Sequence, residues 1–90
     1  MAAIDPSQFS SLSKFFPELT ELQAIHVCLL VFGQLSISEL AEIRGICPST
    51  VKESMNGAQK KLGVNSMKLL RTVVVNRILI QIAIHLFNKN

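Results

Sequence analysis

The polar residues Ser49, Thr50, Lys52, Glu53, Asn56, Lys60 and Lys61 crowd one short stretch, PSTVKESMNGAQKKL. Their chemistry is that of contact. Ammonium groups suit phosphates. An asparagine amide can bond adenine in bidentate fashion, and a carboxylate can accept from cytosine N4. The spacing orders these groups. At about 100° per residue, a helix over 48–62 gathers Val51, Met55, Ala58 and Leu62 on one face. Ser49, Glu53, Asn56, Gly57 and Lys60 fall opposite, and Lys52 and Lys61 flank the apolar face. The outward side chains are mostly short, which permits close approach to a groove. The positive end of the helix, with the Thr50 hydroxyl, suits a further phosphate.

No other chemistry competes with contact. Ser49, Thr50 and Ser54 have no base nearby in the sequence, so nucleophilic catalysis is not expected. His26 and His85 stand without a carboxylate or thiol at ligand spacing and read as structural. Cys28 and Cys47 show neither metal spacing nor a CxxC pair, which suits a reducing cytosol. Cys28 lies in an apolar run and reads as inert core. There is no glycine-rich phosphate loop and no acidic metal cluster. The chain therefore reads as a non-enzyme with no catalytic residue, metal or cofactor.

The elements that must position the polar stretch are helices. Their starts share one grammar, an apolar residue, a polar cap and an apolar residue five places after the first. It occurs at Leu19–Thr20–Ala24, where Gln23 completes a capping box, and at Leu35–Ser36–Leu40, where Glu39 does. It recurs at Ile46–Cys47–Val51, with Pro48 at the first helical position, and at Val64–Asn65–Leu69. Helices over about 20–33, 36–44, 48–62 and 66–87 follow. Residues 1–17 form a leader in which Asp5 could cap a short helix that places Phe9, Leu12 and Phe16 on one face. Apolar and polar residues never alternate cleanly, so no strand is expected. The fold class is all-α, with four to five helices in one domain over 18–90.

Charge divides the 90 residues. Residues 1–47 hold Asp5, Glu18, Glu21, Glu39 and Glu42 against Lys14 and Arg44, a balance of −3. Residues 48–90 hold Lys52, Lys60, Lys61, Lys68, Arg71, Arg77 and Lys89 against Glu53, a balance of +6. A basic half suits a polyanion. Apolar residues make up 49% of the chain, which is rich for this length and points to a buried surface beyond one small core.

That surface is expected on the last helix. Apolar residues cover most of its circumference, interrupted by Arg71, Thr72, Asn76, Arg77, Gln81 and His85. One core cannot cover both sides of such a helix. A homodimer through 66–87, with Val73, Ile80, Ile84 and Phe87 at the contact, is the expected solution. The interruptions leave the segment short of the ~18 uninterrupted apolar residues of a membrane span, and no membrane is expected.

From Leu19 to Leu70 the chain resembles the LuxR/GerE-type helix-turn-helix of bacterial transcription regulators. The resemblance rests on Leu19-Thr20, Gly33, Glu39-Leu40-Ala41, Gly45-Ile46, Thr50-Val51-Lys52 and Lys61-Leu62-Gly63-Val64. It implies binding of double-stranded DNA as a homodimer, with 48–62 as the recognition helix in the major groove. Lys52 would contact DNA, and Glu53 and Asn56 would face base edges. It implies a cytoplasmic, nucleoid-associated bacterial protein, with RNA polymerase or another regulator as a further partner. The chain departs from the pattern at Gln23, Arg44, Cys47 and Glu53. A carboxylate among phosphates opposes binding unless a base donates to it. The alternative is an oligomerisation or protein-docking module on the same scaffold, with weak or lost DNA binding.

Overall fold

Capping chemistry sets where the helices begin. In the computed structural model, which describes residues 6–88, α1 spans Glu21–Phe32 and α2 spans Ile37–Arg44. Helix α3 spans Pro48–Leu62 and α4 spans Met67–Asn88. A 3₁₀ helix, Pro6–Phe15, precedes them, and there is no strand among the described residues. The expected all-α class is therefore observed.

Thr20 Oγ1 accepts from the Gln23 amide and Gln23 Oε1 accepts from the Thr20 amide, each at 3.1 Å. Ser36 and Glu39 repeat this reciprocal box at the start of α2. The bonds from Ser36 hold the Glu39 carboxyl below its ordinary range. At α3 the Cys47 thiol makes no cap bond, and Pro48 opens the helix. At α4 the cap is Ser66, whose Oγ accepts from the Leu69 amide at 3.1 Å. Asn65, the expected cap, lies one residue too early, because the first helical bond runs from the Leu70 amide to the Ser66 carbonyl.

Helix ends follow two patterns. Gly45 (φ 68°) and Gly63 (φ 73°) take the left-handed conformation that glycine tolerates best. Gly33 ends α1 as its cap but stays right-handed at φ −79°, its amide donating to the Leu29 carbonyl. Gln34 is left-handed instead, at φ 55°. The Leu35 amide then reaches back to the Leu30 carbonyl at 3.2 Å, closing the helix end.

The leader departs from the expected α-helical face. Three residues per turn align Phe9, Leu12 and Phe15, and all three pack half-buried on the core. Phe16 follows the helix and is fully buried. The proposed Asp5 cap lies outside the described residues.

Helix α1 packs against every other element. It contributes Ala24, Val27, Cys28, Leu29 and Leu30 to the core, where it meets Leu40, Val51, Met55, Leu70 and Val74. Burial pushes the Cys28 thiol up to about 12, which makes it unreactive. Only His26 and Ser54 are buried polar residues among those described.

Helix α4 is held only along its first part. Leu70, Val74 and Ile78 are buried, and every residue from Leu79 to Asn88 is exposed. Despite its interruptions the helix is long and apolar enough to cross a membrane by length and composition, with a mean hydropathy of 1.5. Its rise of about 1.5 Å per residue leaves only about 15 Å outside the core, half the thickness of a bilayer's hydrocarbon. Arg77 fixes the point where the helix leaves the core. Its guanidinium donates to both Glu18 oxygens, at 2.6 and 2.9 Å, and to the Phe15 carbonyl at 3.2 Å. It also lies 5.2 Å from the Phe16 ring centre. The pairing holds the Glu18 carboxyl below its ordinary range.

Candidate nucleic-acid interface

Helix α3 is seated on its apolar side and open on the other. Val51, Ser54, Met55 and Ala58 are buried against α1 and α2. Leu62, expected in that row, is half-buried near the helix end. The turn before it is closed by local bonds. The Gly45 amide donates to the Glu42 carbonyl and the Ile46 amide to the Ala41 carbonyl. The left-handed Gly45 lets the chain reverse within three residues, so α2 and α3 become neighbours in the fold.

All seven expected contact residues, Ser49, Thr50, Lys52, Glu53, Asn56, Lys60 and Lys61, are exposed. On the helix wheel Ser49, Glu53, Asn56 and Lys60 lie within about 60° of one another. None of these four, nor Lys52, makes a side-chain hydrogen bond or ion pair within the described chain. The stripe is thus a row of donors and acceptors open to solvent, with Lys52 on one flank and no side chain capping the amides at the helix start.

Two residues stand elsewhere than the sequence suggested. Gly57, expected to face outward, is half-buried against α1. A Cβ there would lie 2.6 Å from Gln23 Nε2. Lys61 is exposed but tethered, its Nζ donating to Gln23 Oε1 at 3.0 Å. Gln23 therefore stands beside this edge of α3, whereas in the sequence it figured as half of a capping box and as a departure from the family pattern. Arg77, one of the seven basic residues of the second half, is taken up by Glu18. Lys68 and Arg71 at the start of α4 are exposed and add positive charge beside the first turn.

Ser54 was expected to have no base nearby. His26 Nδ1 lies 3.0 Å from its Oγ, both groups buried. The two are 28 residues apart in the chain, so no local spacing reveals the pair. No carboxylate orients the ring, since His26 Nε2 has no partner. Burial chiefly, and the Arg44 charge next, hold the imidazole below its ordinary pKa of 6.5. The pair has the form of a tie between α1 and α3. Among the described residues no three His, Cys, Asp or Glu side chains gather as a metal site.

Of the expected dimer residues, Ile80, Ile84 and Phe87 are exposed and Val73 is half-buried. Leu79, Ile82 and Leu86 are exposed on the same free segment. No protein-family model, curated protein or solved structure matches the chain.

Proposed function

We propose that this chain is a DNA-binding transcription regulator of the LuxR/GerE helix-turn-helix type, which lays α3 in the major groove and pairs with a second copy through α4. The observation that carries the reading is the open stripe Ser49–Glu53–Asn56–Lys60. A helix seated by one apolar face, presenting polar groups that no neighbour within the described chain engages, suits a surface whose own polar groups can replace the water on them. Lys52, Lys60 and Lys61 add sequence-independent attraction to phosphates, and Asn56 and Glu53 supply discrimination at adenine and cytosine.

The test is a salt-titrated binding assay on duplexes selected from a random pool. Each phosphate neutralised contributes about 0.9 to the slope of log affinity against log salt. Glu53→Ala raises nonspecific affinity by removing a carboxylate near phosphates, and relaxes preference at one base pair by about 1–3 kcal/mol. Equal gains on selected and scrambled sites assign Glu53 an electrostatic role only. No change on either removes this face of α3 from the interface.

The docking-module alternative is favoured by the exposed apolar end of α4. It requires that the native chain shift no duplex even at low salt. A membrane-spanning role fits less well, because Leu70, Val74 and Ile78 hold the first half of α4 in the core.

A further inference from the structure

Gln23 stands where two helices exchange polar contacts. Its Oε1 accepts from the Thr20 amide at 3.1 Å and from Lys61 Nζ at 3.0 Å. Its Nε2 fills the space left by the missing side chain of Gly57. Gly57 and Lys61 lie one turn apart on the same flank of α3, so both meet the same amide. Lys61 is thereby held by an acceptor on α1, yet it keeps its charge, because an amide carries none. Its ammonium has three donors, and only one is directed to Gln23. A glutamate here would make the same capping box and the same bond to Lys61, but would cancel that charge.

We propose that Gln23 is a positioning residue of the DNA interface: it orients the Lys61 ammonium at the edge of α3 while leaving its full charge for a phosphate. The inference rests on the DNA-binding reading above and adds a residue of α1 to it. The neutral side chain at position 23 is then a determinant of affinity for the polyanion, through Lys61 and not by touching DNA.

The experiment compares the full native chain with Gln23→Glu, each alone and with Lys61→Met, on one selected duplex and one scrambled duplex. Gln23→Glu keeps the capping box and places an anion near the start of α1, where it is favourable. Its thermal midpoint therefore stays or rises. Its affinity falls on both duplexes by about eight-fold per protomer at about 0.1 M salt, the counterion-release contribution of one phosphate contact. The salt slope flattens by about 0.9 per protomer. With Lys61→Met in place, Gln23→Glu changes neither quantity. Stability and affinity moving in opposite directions is a result that a merely structural glutamine does not produce. An unchanged slope for Gln23→Glu, with the native chain still binding, overturns the proposal. So does an equal loss in the Lys61→Met background, because the carboxylate then acts on DNA directly. A native chain that binds no duplex at any salt overturns the DNA-binding reading, and this inference with it.

Discussion

A lysine at position 80 tests whether the free end of α4 meets a second copy of the chain. Ile80 is 56% exposed and Ile84 48%, and Phe87 reaches 79%. Burying an isoleucine side chain completely contributes about 1.5–3 kcal/mol, so covering the exposed half of Ile80 contributes about 1 kcal/mol. A two-fold interface uses the same patch on both protomers. Ile80→Lys therefore removes about 2 kcal/mol of dimer stability, which weakens Kd roughly thirty-fold. Desolvating two ammonium groups would add to this, so the figure is a lower bound. The monomer itself is little affected, because Ile80 contributes nothing to the buried core. Its unfolding free energy moves by less than about 0.5 kcal/mol. Sedimentation equilibrium across the micromolar range measures the first effect, and denaturant unfolding of dilute protein measures the second. Ser38→Lys, on the exposed side of α2, serves as the control for added charge. A native chain that stays monomeric at the highest concentration refutes the reasoning. An unchanged Kd for Ile80→Lys, with the native chain dimeric, moves the interface off this side of the helix. If the dimer is lost and DNA affinity is not, dimerisation and DNA binding are separate properties of the chain.

Gln34 holds a left-handed backbone at φ 55°, which costs a residue with a Cβ roughly 1 kcal/mol or more. Gln34→Gly raises stability by about 0.5–1 kcal/mol, the gain being reduced by the freer unfolded chain, and urea titration measures it. His26 gives the fold an acid sensitivity of calculable sign. Its pKa is lowered in the folded chain from 6.5, so the unfolded chain takes up the proton first. Stability is complete above about pH 6.5 and falls as the pH drops through that value toward the folded pKa. His26→Leu removes this dependence, as denaturation midpoints from about pH 8 to about pH 5 will show, and an unchanged slope would assign the sensitivity to another group.

Much of the backbone was legible from residues a few places apart. Thr20 with Gln23, and Ser36 with Glu39, close their boxes within one turn. Gly45 and Gly63 end their helices where a left-handed residue is needed. The spacing of Val51, Met55 and Ala58 seats α3 as its periodicity requires. These features depend on backbone geometry over three or four residues, which the local sequence specifies. Composition also foretold apolar surface beyond one core, and the packing of Leu70, Val74 and Ile78 left most of it on the segment from Leu79 onward, with Leu22, Phe32, Ile43 and Leu69 exposed elsewhere.

The local rules failed by a small margin at Asn65 against Ser66. Two adjacent residues there could each cap the helix. The same rules failed entirely for contacts between distant parts of the chain. His26 meets Ser54 across 28 residues, Lys61 meets Gln23 across 38, and Arg77 meets Glu18 across 59. No periodicity encodes such pairs, because each depends on which faces of two helices the whole core brings together. The sequence by itself therefore determined the helices, their caps and the row of polar groups on α3. Only the tertiary structure decided that Gly57 turns toward α1, that Lys61 is tethered, and that Ser54 is buried against a histidine.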